Sequence, residues 1–132
     1  MTEVFRMTTT VGKPVIEISL LPAQWGKDQF KLCFDEVLEA VRQIRATHVR
    51  SKDDLIVLFP TDRWEVGLGT EIVIKIDLPN SCLTESGVMN EVADRVQLAI
   101  QRLLPDAYVQ CVVSVFEIGR GFMSTAPRAV AK

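Results

Sequence analysis

Ile16-Glu17-Ile18-Ser19-Leu20 and Ile74-Lys75-Ile76-Asp77-Leu78 decide the reading of this 132-residue chain, because they are the same alternating phrase written twice. Alternation of apolar and polar residues places one set of side chains on each face of a strand. Each phrase runs through a proline (Pro22, Pro79) into a polar approach, an amphipathic helix, a second apolar strand and a short glycine-containing turn. Two repeats follow, 14–69 and 70–124, preceded by an arm, 1–13, and followed by a tail, 125–132, that is expected to fray. The arm is read as a flexible segment or an added edge strand.

The helices carry the strongest periodicity. Between Lys27 and Arg45, Phe30, Cys33, Phe34, Val37, Leu38, Val41 and Ile44 recur at three-and-four spacing, while Lys31, Asp35, Glu36, Glu39, Arg42 and Gln43 take the other face. From Glu85 to Leu104 the pattern repeats with Met89, Val92, Ala93, Val96, Ala99, Ile100, Leu103 and Leu104 inward, and Pro105 and Asp106 end it because proline lacks an amide hydrogen. Strands are predicted at Val15–Leu21, Asp54–Phe59, Glu71–Leu78 and Val109–Ile118. The apolar runs of the second and fourth suit central positions in a sheet, and the alternating first and third suit positions with one wet face.

A strand, a crossover helix and a second strand form a βαβ unit with parallel strands. Two such units give an α/β (α+β) domain with a four-stranded mixed sheet and both helices on one face. The other face is then left with apolar side chains and nothing in the chain to cover it, so self-association is expected.

Composition narrows the function. Lys+Arg 15 against Asp+Glu 17 gives a net charge of −2, with no excess of positive charge for a phosphate backbone, so nucleic acid is not an expected partner. No run approaches the ~18 apolar residues of a membrane span, and Met1–Lys13 lacks a signal-like apolar stretch. The three cysteines, Cys33, Cys82 and Cys111, are odd in number and widely spaced. They read as reduced residues of a cytoplasmic protein, and neither a metal nor a cofactor is expected.

The chain resembles the tautomerase superfamily in its fused form, where two units similar to 4-oxalocrotonate tautomerase share one polypeptide, as in proteins like macrophage migration inhibitory factor. The resemblance rests on Pro14-Val15-Ile16-Glu17-Ile18-Ser19-Leu20-Leu21, the helix that follows, and the run Val112–Phe122. It implies a homotrimer whose sheets line a central barrel. It also implies chemistry at an N-terminal proline, whose secondary amine acts as a base or nucleophile.

Pro14 stands at the matching position, but thirteen residues precede it, so its nitrogen is an amide and Pro14 is catalytic only if processing exposes it. Gln24-Trp25-Gly26 occupies the place where these enzymes tend to put a carboxylate-binding arginine. The remaining candidate contacts for a small anionic ligand are Arg63, Trp64, Arg120 and Trp25. His48, the single histidine, reads as a surface loop residue. The expected function is a tautomerase-like binding or scaffold protein without the free amine. An isomerase or tautomerase of small keto or enol acids is one alternative, and a ferredoxin-like regulatory module that binds a ligand is another.

Overall fold

The computed structural model describes residues 12–60 and 71–117. Residues 1–11 of the arm, the first glycine-containing turn with Arg63 and Trp64, the second with Arg120, and the tail 125–132 lie outside the described residues. The elements are β1 (Val15–Ser19), α1 (Lys27–Arg42), β2 (Ile56–Leu58), β3 (Glu71–Pro79), α2 (Val88–Leu103) and β4 (Tyr108–Phe116).

They form one sheet in the order β2-β1-β3-β4. β1 pairs parallel with β2, β3 pairs parallel with β4, and the two repeats join antiparallel through β1 and β3. Each βαβ unit therefore keeps its own strands side by side. A ferredoxin-like sheet splits them, so the ferredoxin-like alternative is set aside.

Both helices cover one face. Ile16 and Ile18 of β1 and Ile72, Ile74, Ile76 and Leu78 of β3 are buried there, beneath Cys33, Val37 and Val41 of α1 and Val92, Val96 and Ile100 of α2. At roughly 1.5–3 kcal/mol for each large aliphatic side chain removed from water, this layer is the main source of stability. The alternation quoted above thus reports the buried face of the two central strands.

Two sequence expectations about the sheet are corrected. The apolar runs lie at the edges, in β2 and β4, and the alternating strands lie in the centre. Nor is the open face uniformly apolar. One row across it reads Leu58, Glu17, Lys75, Val112, and the next reads Ile56, Val15, Asp77, Ser114. Its charged groups sit on the central strands, while Ile56, Leu58, Tyr108 and Val112 are exposed on the edge strands.

Element ends differ from the periodicity for local reasons. β1 stops at Ser19, and Leu20 takes a left-handed conformation (φ 68°) before Pro22. α1 stops at Arg42, because the chain turns at Gln43 and 45–47 winds into a 3-10 turn. α2 begins at Val88 because Gly87 is left-handed (φ 83°), a conformation that glycine adopts without a Cβ penalty. Gln101 Nε2 lies within bonding distance of the carbonyls of Leu104, Pro105 and Ala107 (3.1, 3.2 and 2.7 Å), which fastens the turn into β4.

β2 is only three residues long because Asp53 and Asp54 belong to a turn. The Asp54 carboxylate accepts the amides of Arg50 (3.0 Å) and Ser51 (3.1 Å). These bonds, then the charges of Lys13 and Arg50, hold its pKa below the ordinary 3.8. A depressed carboxylate stabilises the fold above its unfolded pKa, and that contribution disappears as pH falls through the lower folded value. Asp54→Asn should therefore melt below the native chain at pH 7, with the gap closing as the pH of the melts is taken below about 3.8. An unchanged gap at acid pH would show that these two bonds do not act through ionisation.

Candidate functional site

Pro14 is buried immediately before β1. Its carbonyl accepts the amide of Ile56 at 3.1 Å, which ties the start of β1 to the start of β2. Its nitrogen is acylated by Lys13 in this sequence, so it has no basic lone pair to offer. Because β3 runs antiparallel to β1, the same corner receives the last residue of β3, Pro79, paired with the last residue of β4, Phe116.

Gly12 closes the corner. A Cβ at that position would lie 3.1 Å from Pro79 Cβ and 3.4 Å from Phe116 Cε1, so only a residue without a side chain fits without displacing them. Lys13 points its charge into water. Among the described residues, the cations that act on Asp54 beside this corner are Lys13 and Arg50.

Trp25 belongs to the other end of the sheet. It follows the C-terminal end of β1, a five-residue strand that spans roughly 17 Å at ~3.4 Å per residue. Its amide donates to Pro22 O at 3.1 Å, and its ring meets Phe30 edge-on, with centroids 5.5 Å apart and planes at 78°. Phe30 in turn tilts against Phe59 at 5.0 Å. This half-buried aromatic row seals the C-terminal ends of β1 and β2 within the chain. Pro14 and Trp25 are therefore not brought together within the chain, and Arg63, Trp64 and Arg120 lie outside the described residues.

Sequence reasoning does not bring Lys13 and Arg50 together at the corner. The available signal is the parallel pairing of β1 with β2, which brings residues just before each strand together.

The cysteines are packing residues. Burial pushes the Cys33 thiol up to about 12, with Glu36 adding to the effect. Burial likewise raises Cys82 to about 11 and, with Asp94, Cys111 to about 11. Cys82, expected to be the more exposed, is buried with Sγ 3.7 Å from Thr47 O. Thiols so raised hold almost no thiolate near neutral pH and are poor nucleophiles. His48 is exposed at a left-handed position (φ 61°).

Between the helices a groove of about 80 Å³ is lined by residues including Glu39, Gln43, Arg95 and Leu98. Small-molecule sites run to ~300–1,000 Å³, so this groove holds a few waters at most. Arg95 spans it, donating to Glu91 at 3.1 Å and to Gln43 at 2.7 Å. Among the described residues no three His, Cys, Asp or Glu side chains are grouped to hold a metal ion, and no helix is long and apolar enough to cross a membrane.

No family model matches the sequence, and no curated protein sequence matches it significantly. Solved structures do match its fold. A fused 4-OT asymmetric trimer aligns with a TM-score of 0.60 at 11% identity, covering 81% of this chain and 92% of its own. A member of the cis-3-chloroacrylic acid dehalogenase family aligns at 0.61 and 14% identity, covering 78% and 75%. A 5-carboxymethyl-2-hydroxymuconate delta-isomerase aligns at 0.54 and 11% identity, covering 89% and 90%. All three belong to the tautomerase superfamily. Two βαβ units joined antiparallel through their first strands, with both helices on one face, give this chain the tautomerase-superfamily fold in its fused form.

Proposed function

We propose that this chain is a tautomerase-fold protein that works as an oligomeric binding or scaffold protein in the cytoplasm and not by proline-amine catalysis. The observation that carries the reading is the corner at Pro14. Its nitrogen is an amide while Lys13 precedes it, its carbonyl accepts the amide of Ile56, and Gly12 packs against Pro79 and Phe116.

Self-association is supported by the pattern on the open face. Stacking two sheets face to face would bury Glu17, Lys75 and Asp77, and unpaired buried charge is costly. Joining the β2 edge of one copy to the β4 edge of the next would cover Ile56, Leu58, Tyr108 and Val112 and leave the charges facing a wet lumen. A head-to-tail contact forms a ring where its rotation closes and a filament where it does not, and a closed homotrimer is the ring we propose. Arg63, Trp64 and Arg120 are our proposed contacts for a small anionic ligand at the joints, which Trp25 of an adjoining copy would also line.

The test pairs the intact mass of the native protein with enol–keto exchange of phenylpyruvate. We expect a mass that includes residues 1–13 and exchange no faster than in buffer. A chain starting at Pro14, with exchange abolished by Pro14→Ala, would replace this reading with the second one, a tautomerase of small keto acids. That alternative draws on the fold shared with isomerase and dehalogenase-family structures.

A further inference from the structure

The connection from Gln43 to Leu55 divides its residues cleanly. Ile44, Ala46, Thr47, Val49 and Leu55 are buried, while Arg45, His48, Arg50 and Lys52 are all exposed. Lys13 joins them across the corner, since it and Arg50 both act on Asp54. In a chain with more acidic than basic residues, this is a local reversal of charge.

None of Lys13, Arg45, Arg50 and Lys52 forms an ion pair among the described residues. The ion pairs present there, Lys31–Asp35, Arg42–Glu39 and Arg95–Glu91, lie within the helices. Among the described residues, the acidic groups within the connection are Asp53, which is exposed, and Asp54, whose carboxylate is engaged by the amides of Arg50 and Ser51, while Glu117 follows Phe116 on the Gly12 side of the corner.

The connection is also held in one shape. Buried Thr47 Oγ1 lies 2.8 Å from Ile44 O and 3.2 Å from Val41 O, and accepts the Val49 amide at 3.4 Å. Ser51 Oγ accepts the Asp53 amide at 3.3 Å, and the His48 amide reaches Arg45 O at 3.0 Å. Cations presented on a fixed backbone lose less entropy on binding than cations on a loose loop.

We infer that this connection, together with Lys13, is a docking surface for an acidic segment of a protein partner. Exposed cations spread along a loop suit several carboxylates in sequence rather than one small anion in an enclosed space. A nucleic acid backbone extending past the loop would meet a chain of net charge −2.

The test is fluorescence anisotropy of a labelled ten-residue oligoglutamate with the full chain. We expect binding that weakens by about tenfold between low and physiological salt, as exposed charges are screened. Arg45→Glu with Arg50→Glu should weaken it by at least about tenfold, whereas Lys27→Glu with Lys31→Glu on α1 should change it by no more than about twofold. If the reversed pair does not fold, Arg45→Gln with Arg50→Gln serves in its place. No binding by the intact chain, equal binding by the loop variants, or tighter binding of a single-stranded oligonucleotide of equal charge would each overturn the inference.

Discussion

Ile74→Ala is expected to lower the free energy of unfolding by about 2–5 kcal/mol, read from urea titrations at constant m-value. Ile74 is fully buried in the middle of β3, opposite Ile18 of β1 on one side and Cys111 of β4 on the other. Truncation removes three carbons from the layer that joins the two repeats beneath both helices. The surrounding side chains belong to three hydrogen-bonded strands, so they cannot collapse far into the space. For a domain of total stability ~5–15 kcal/mol, that loss is a large fraction. Leu98→Ala on the exposed face of α2, where the side chain is 55% accessible, should stay within about 0.5 kcal/mol. A loss below about 1 kcal/mol at Ile74 would mean that this face is not the core.

Leu58→Lys combined with Val112→Lys is expected to break the proposed ring into monomers, with a fall of at least about a hundredfold in the association constant. The two residues stand at opposite edges of the open face, 44% and 57% exposed in the single chain, in one row with Glu17 and Lys75 between them. In a head-to-tail ring both residues enter every joint, so each joint acquires two ammonium groups without partners. Unpaired buried charge costs ~3–5 kcal/mol, which accounts for at least that hundredfold.

Sedimentation velocity at micromolar concentrations reads the outcome, and the melting curve of the variant shows that each chain still folds. Lys75→Ala, on the central strand, should leave the assembly intact, whereas a face-to-face stack would respond to it. A native protein that sediments as a monomer, or an edge variant that still assembles, would sink the ring.

Element types and buried faces are legible in the order of residues alone. Phe30, Cys33, Val37 and Val41 announce a helix face by spacing, and the paired phrases at Ile16 and Ile74 announce the repeat. Helical and strand periods are local properties, dictated by backbone geometry and by which side of an element must leave water. The resemblance carried by Pro14 and the strand after it points to the fold that the solved structures share. That Lys13 precedes Pro14, so that the Pro14 nitrogen is an amide while that bond is intact, is equally a matter of sequence.

Tertiary structure decided what no local period encodes. Apolar content placed the runs Leu55–Phe59 and Val112–Phe116 at the centre of the sheet, yet antiparallel pairing of the two repeats through β1 and β3 put the strands they supply at the edges. Periodicity says which face of a strand is buried and is silent about its neighbours, because lateral hydrogen bonding uses the backbone that all residues share. The same holds at the corner. Gly12 against Pro79 and Phe116, and Lys13 beside Asp54, are meetings of residues distant along the chain. They exist only once the sheet has set its register.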